Sequence, residues 1–261
     1  MTAISQFLAL HQADDLLFLG NAWDVPSARA LEKGGFKAIG TTSWGIAHSL
    51  GYTDGEKIDF DLHLAVIKRI VEQVSIPVSA DLESGYAADA PTIIENVLRT
   101  ADVGVAGINL EDSLKRSTGL RDMILHGDLL YQIRTALDHN GFSDFYINAR
   151  IDTYFQKEDP LAETIERAKV YVESGASGIF VPGVKEETDI RAISAQVTAP
   201  LNVLSLPGLT DGKLLREWGV KRLSFGNFLY DKMVAFLENS AFQLYQTTDT
   251  ASLFQPEPAR F

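Results

Sequence analysis

Two carboxylates stand two residues apart, at Asp81 and Glu83, directly behind the apolar run Ile76-Pro77-Val78-Ser79-Ala80 and ahead of the turn Ser84-Gly85-Tyr86. A second pair, Glu111-Asp112, closes the run Val105-Ala106-Gly107-Ile108-Asn109-Leu110. A third run, Phe145-Tyr146-Ile147-Asn148-Ala149, ends on Arg150, with Asp152 two residues further. Paired hard oxygens suit Mg²⁺ or Mn²⁺ better than zinc. A guanidinium fork holds a carboxylate or phosphate on two oxygens at once. The chemistry these residues offer is a divalent metal holding an anionic substrate that faces an arginine. If Asp81 and Glu83 both lie on a strand, they share one side of its pleat and can share one cation, directly or through water. Four acids gathered without a cation would repel one another. Each residue also has a plainer reading. Asp81 and Glu83 could be solvated loop acids, Arg150 could pair with Asp152 or another acid, and Asn148 could cap a turn instead of meeting a substrate.

Weaker signals lie around these. Thr41-Thr42-Ser43-Trp44-Gly45 puts small hydroxyl residues ahead of a glycine, a pattern that can expose N–H groups to an oxyanion. Asp54 lies in the loop Gly51-Tyr52-Thr53-Asp54-Gly55-Glu56, which could reach over a barrel mouth; taken alone, Asp54 reads as a turn residue. His48 and His126 could act as bases, but neither has an acid beside it in sequence. His11, His63 and His139 fall in helical segments. Trp23, Trp44 and Trp218 read as packing residues.

These residues need elements to position them. Apolar runs at Leu16–Gly20, Lys37–Thr42, Ile76–Leu82, Val105–Leu110, Phe145–Arg150, Gly178–Val181, Leu201–Ser205 and Lys221–Phe225 read as strands. Helical patterns lie between them. In Phe60–Val74 the residues Leu62, Val66, Ile70 and Val74 form one stripe, and Leu129–His139 and Leu161–Ser174 have the same period. Pro26, Pro91 and Pro160 sit where helices start; Gly34-Gly35, Gly175 and Gly219 sit where they end. Eight strands alternating with helices predict an α/β fold of the (β/α)8, TIM-barrel type, whose active sites lie at the C-terminal ends of the strands. The rival, a doubly wound sheet, usually has a glycine-rich phosphate turn after its first strand; here that strand runs into Gly20-Asn21-Ala22-Trp23-Asp24.

The chain has 261 residues, and no linker or internal repeat divides it, so a single barrel domain over 1–261 is expected. From about 227 the sequence reads as a helix through Leu229, Met233, Phe236 and Leu237, then turns polar toward Pro256 and Pro258. The net charge of -12 argues against nucleic-acid or anionic-membrane binding, but not against a small anionic substrate beside a local arginine. With no cysteine, disulfides, thiolate metal sites and cysteine nucleophiles are excluded. No signal-peptide pattern opens the sequence and no apolar run spans a bilayer, so a cytoplasmic protein is expected.

Six segments together resemble the isocitrate lyase/phosphoenolpyruvate mutase superfamily, in its order and spacing. They are Asn21-Ala22-Trp23-Asp24, Thr42-Ser43-Trp44-Gly45, Ser49-Leu50-Gly51-Tyr52-Thr53-Asp54-Gly55-Glu56, Asp81-Leu82-Glu83-Ser84-Gly85-Tyr86, Gly107-Ile108-Asn109-Leu110-Glu111-Asp112 and Asn148-Ala149-Arg150-Ile151-Asp152. The resemblance implies a modified (β/α)8 barrel whose last helix swaps between partners, giving dimers or tetramers. It implies Mg²⁺ held by Asp81, Glu83 and Glu111. It implies a 2-keto acid or enolate held by the Ser43-Trp44-Gly45 backbone, with Ser43 and Gly45 donating N–H groups, and by Arg150. Asp54 matches a family acid near the substrate, so Arg150, Asp54 and Glu111 are the expected catalytic residues and Asn148 an added substrate contact. Cleaving a bond next to a 2-keto acid leaves an enolate, whose charge a cation and fixed N–H donors stabilise.

The sequence also departs from well-known members. Isocitrate and methylisocitrate lyases carry a Lys-Lys/Arg-Cys-Gly-His loop whose cysteine protonates the enolate. Here the stretch is Asp112-Ser113-Leu114-Lys115-Arg116-Ser117-Thr118-Gly119-Leu120-Arg121-Asp122. The Pro-Lys-Thr-Asn segment of the phosphonate-forming mutases is absent, and Phe180-Val181-Pro182-Gly183 lacks their nearby histidine. The first expectation is therefore a lyase or decarboxylase of a small 2-keto or 2-hydroxy dicarboxylate, with Lys115 or Arg116 on the distal group. C–P chemistry of the mutase or phosphonopyruvate hydrolase kind is a second reading. A keto-acid-binding protein without turnover is a third.

Overall fold

The structure, a computed structural model, describes residues 2–115 and 118–255. Arg116, Pro256 and Pro258 lie outside the described residues. Eight strands form a closed barrel: β1 Leu17–Ala22, β2 Ile39–Thr41, β3 Val78–Asp81, β4 Gly107–Glu111, β5 Tyr146–Arg150, β6 Gly178–Val181, β7 Leu201–Leu204 and β8 Val220–Ser224. Every neighbouring pair is parallel, and β8 closes on β1. The helices are α1 Ala3–Gln12, α2 Val25–Lys33, α3 Ser43–Ser49, α4 Phe60–Val71, α5 Ala90–Asp102, α6 Met123–His139, α7 Thr153–Gln156, α8 Leu161–Glu173, α9 Glu187–Gln196, α10 Gly212–Glu217 and α11 Phe228–Thr247. The expected (β/α)8 architecture is therefore present. Contacts divide the chain into Met1–Gly226, which holds the barrel, and Asn227–Phe261, which holds α11. Among the described residues no helix is long and apolar enough to cross a membrane.

Parallel strands are covered on both faces, so their residues are buried almost without alternation; β4 and β6 are buried at every position. Tyr146 shows how tightly the interior is filled. A Cβ on Gly107 would lie 2.5 Å from the Tyr146 carbonyl oxygen, and one on Gly178 would collide with its hydroxyl. Helix α1 packs Phe7 and His11 against the same ring, Phe7 edge-on at 5.5 Å and His11 stacked at 3.9 Å. Burial pushes the His11 pKa down to about 3, and the charge of Arg222 adds to this.

Helix ends follow local chemistry. Asp24, Asp89, Asp122 and Asp211 each accept N–H bonds from the first turn of α2, α5, α6 and α10. Pro26 and Pro91 occupy first-turn positions, and Pro160 caps α8. Two expectations are corrected. The buried face of α4 is Phe60, His63, Leu64, Ile67 and Ile70, while Leu62 is exposed. The stripe is turned by one residue because His63 joins the interior, where it donates to the Asp81 carbonyl at 3.0 Å. Helix α6 begins at Met123, six residues before the expected Leu129, because Asp122 caps it there.

Candidate active site

The expected acids and Arg150 come together at the C-terminal ends of β3, β4 and β5. Strand β3 ends at Asp81, whose Oδ2 accepts from Ser43 N at 3.3 Å and Ser43 Oγ at 3.1 Å. Glu83 is not on the strand. Its backbone is left-handed at φ 47, so the shared-pleat argument for Asp81 and Glu83 does not hold. A turn brings Glu83 inward instead. Its Oε1 accepts from Glu56 N at 3.1 Å and Tyr86 Oη at 3.0 Å. Glu56 returns the contact, its Oε1 accepting from Ser84 N, Ser84 Oγ and Tyr86 N at 2.6–3.0 Å. Glu56 and Tyr86 also have positive φ, at 57 and 60, so three non-glycine residues in an uncommon conformation lock this corner.

Two cations meet the buried acids. Lys115 Nζ lies 2.6 Å from Glu111 Oε1 and 3.3 Å from Glu83 Oε2. Arg150 Nη1 lies 3.0 Å from Glu111 Oε2. Arg150 is itself fixed by Asp152, with Nε donating to Oδ1 at 2.6 Å and Nη2 to Oδ2 at 3.0 Å. Asp152 Oδ2 also accepts from Ser113 Oγ at 2.6 Å. Burial raises the Glu111 carboxyl to about 8, against the pull of Arg150 and Lys115. Burial and then the Asp54 charge raise Glu83 to about 7, with Lys115 opposing. Burial alone would lower the Lys115 ammonium, but Glu111 and Glu83 outweigh it and hold it protonated.

Other expected residues are placed differently. Asp112 follows directly after the end of β4 at Glu111, and its carboxylate is held elsewhere. Its Oδ2 meets Arg167 Nη1 at 3.2 Å and Tyr171 Oη at 2.9 Å, so it does not join Glu83 and Glu111 at Lys115. Asn148 is fully buried and donates to Asn109 Oδ1 at 2.9 Å and Asn202 Oδ1 at 3.1 Å, inside the barrel. Gly45 N donates to Thr42 Oγ1 at 3.3 Å as part of the α3 cap, and Ser43 N faces Asp81. Trp44 is partly exposed and stacks on His48 at 4.2 Å. Asp54 is half-buried, and among the described residues its Oδ1 has no hydrogen-bond partner. His126 lies wholly inside the protein, its pKa pushed to about 3 by burial and then by Arg121 and Arg167. Sequence reasoning passed over Glu56, although it sits in the quoted Asp54-Gly55-Glu56 turn.

Among the described residues, no three acid or histidine side chains stand close enough to hold a metal ion as they are placed. In kind, the donors do fit a hard divalent cation. Asp81, Glu83 and Glu111 offer carboxylate oxygens only, and two of them already share one cation, the Lys115 ammonium.

A closed parallel barrel with buried acids, an arginine and a lysine gathered at its C-terminal strand ends defines a (β/α)8 protein with a charged barrel mouth. The chain belongs to the phosphoenolpyruvate phosphomutase family, whose model matches residues 7–245. It is 36% identical over 225 residues to the uncharacterized protein Rv1998c of Mycobacterium tuberculosis (strain ATCC 25618 / H37Rv), covering 86% of this chain and 83% of that one. A crystal structure of a putative phosphonomutase from Burkholderia cenocepacia J2315 is 36% identical with a TM-score of 0.87, over 91% of this chain and 98% of that one. Oxaloacetate decarboxylase 1 of Pseudomonas fluorescens (strain Pf0-1) is 29% identical over 86% of this chain and 78% of its own. Relatives within the isocitrate lyase/phosphoenolpyruvate mutase superfamily are lyases and mutases.

Proposed function

We propose that this chain is a Mg²⁺-dependent lyase or decarboxylase that cleaves a C–C bond of a small 2-keto or 2-hydroxy dicarboxylate and leaves an enolate. The observation that carries the reading is the Arg150 guanidinium, fixed by Asp152 and set against buried Glu111, which shares the Lys115 ammonium with Glu83. Kinship with an oxaloacetate decarboxylase and the absence of cysteine favour it over isocitrate lyase chemistry. Asp81, Glu83 and Glu111 would hold the ion, with Mn²⁺ able to replace Mg²⁺. When bound, the ion supplies Lewis-acid stabilisation of developing negative charge.

The remaining work falls to the chain's own residues. Arg150 receives the substrate carboxylate, and Asp152 keeps its fork in one orientation. Lys115 Nζ carries a proton on the acid pair, where a cysteine is lacking. The Glu56 and Glu83 corner keeps the second acid in place and excludes water from it. The Ser43 hydroxyl stands at Asp81, and Trp44 and Asp54 are proposed to meet the substrate. The protein is proposed to be cytoplasmic and homo-oligomeric. Helix α11 has no buried residue and carries exposed Phe236, Leu237, Phe242 and Tyr245 around much of its circumference, apolar surface that a second copy could cover. A solution mass of 28.7 kDa, that of the monomer, would count against the oligomer.

Oxaloacetate loss, followed spectrophotometrically with Mg²⁺ and then with chelator against the metal-only rate, tests the reading. Enzyme-dependent loss abolished by chelator supports it. Absence of loss, together with conversion of phosphonopyruvate seen by ³¹P NMR, would favour the C–P reading suggested by the phosphonomutase-like relative. Oxalate binding without turnover of any keto acid would favour a binding protein.

A further inference from the structure

The acids expected to share a metal ion already share a cation that the chain supplies. Lys115 Nζ bridges Glu111 Oε1 at 2.6 Å and Glu83 Oε2 at 3.3 Å. The Glu83 and Glu111 side chains are 2% and 0% exposed, so water screens neither charge. Two carboxylates sealed in this way and left without a cation would be strongly destabilising. The two cations at the pair are held differently. Arg150 is fastened to Asp152 by two hydrogen bonds and cannot leave without breaking them. Lys115 is 18% exposed and reaches the acids on a flexible four-carbon stem. A divalent ion and an ammonium on the same two oxygens would repel each other across a few ångströms of low-dielectric interior.

We propose that Lys115 is a tethered counter-cation that occupies the divalent-ion position on Glu83 and Glu111, so that metal binding is an exchange in which the ammonium leaves as the ion enters. This rests on the reading that these acids receive a divalent ion. The seated ammonium keeps the metal-free barrel mouth neutralised. It also lowers the apparent metal affinity by the fraction of molecules in which it is seated. The displaced amine then lies at the edge of the site, where a substrate anion can meet it.

Mn²⁺ titration of the full chain without substrate, followed by electron paramagnetic resonance, tests the exchange. Lys115→Met is expected to bind Mn²⁺ about tenfold more tightly than the unchanged protein, and Lys115→Arg no more tightly. In chelator, Lys115→Met is expected to melt at a lower temperature and to gain more from added Mn²⁺. If Lys115→Met does not fold in chelator, Lys115→Gln takes its place with the same expectation. Equal or weaker Mn²⁺ binding in a cooperatively folding Lys115→Met or Lys115→Gln overturns the exchange and leaves the metal reading intact. No Mn²⁺ binding in either the unchanged or the variant protein overturns both.

Discussion

Arg150 is the residue on which the site turns, and its value lies in shape as much as charge. One edge of its guanidinium is fastened to Asp152 and Nη1 reaches Glu111, so the plane of the fork is set before any substrate arrives. Lysine would keep the charge and lose the plane. Arg150→Lys is therefore expected to lower kcat/KM on a turned-over keto acid by on the order of 100-fold, the cost of a misplaced contact. Steady-state kinetics read this directly, and near-normal turnover would remove Arg150 from the substrate contacts. Sequence had offered two readings of this residue, substrate clamp or partner of Asp152 and the acids. The ion pairs are present, and under the proposed function they would orient the clamp.

At the scale of elements, the strands hold the site because their interior faces leave almost no free space. Gly107 on β4 pairs with Tyr146 on β5, and a methyl group there would meet backbone at 2.5 Å. Backbone cannot swing aside as a side chain can, so Gly107→Ala is expected to destabilise the protein by about 3 kcal/mol. Gly212, in the first turn of α10, is the contrasting case. Its nearest neighbours to a new Cβ are side-chain atoms at 3.7 and 3.8 Å. Gly212→Ala is expected to be neutral or to stabilise by up to about 1 kcal/mol. Denaturant melts of both variants check the pair, and a Gly107→Ala protein as stable as its parent would refute the packing argument.

For the whole molecule, the buried titratable groups set the pH range of stability. Glu83 and Glu111 are raised from 4.5 to about 7 and about 8, so the folded chain keeps protons that the unfolded chain has released. Stability therefore falls as pH rises from about 4.5 to about 8 on their account. His11 and His126 are lowered from 6.5 to about 3, so the unfolded chain takes up protons that the folded chain refuses. Their contribution falls as pH drops from 6.5 toward 3, opposing the acids between 4.5 and 6.5. Above 6.5 only the two acids act among these four groups. In chelator the melting temperature is expected to fall between pH 6.5 and 8.5, and less so in Glu111→Gln. A flat profile would show that Lys115 and Arg150 fully offset the burial of the acids.

The sequence by itself determined the eight strands, their alternation with helices and the segments that converge at one face, because apolar runs, capping residues and glycine turns are local signals. It also determined the family, since six short segments in order are a specific pattern. Only the tertiary structure decided what each polar residue faces. Asp112, just past the end of β4, is drawn to Arg167 and Tyr171, which arrive from α8 to receive it. Asn148 is drawn into the barrel by Asn109 and Asn202, which lie 39 and 54 residues away in sequence. Glu83 enters the site through a left-handed turn that period-two reasoning does not anticipate. Lys115 sits on the acid pair because two buried carboxylates attract its charge, and burial is a property of the assembled barrel that no local pattern carries.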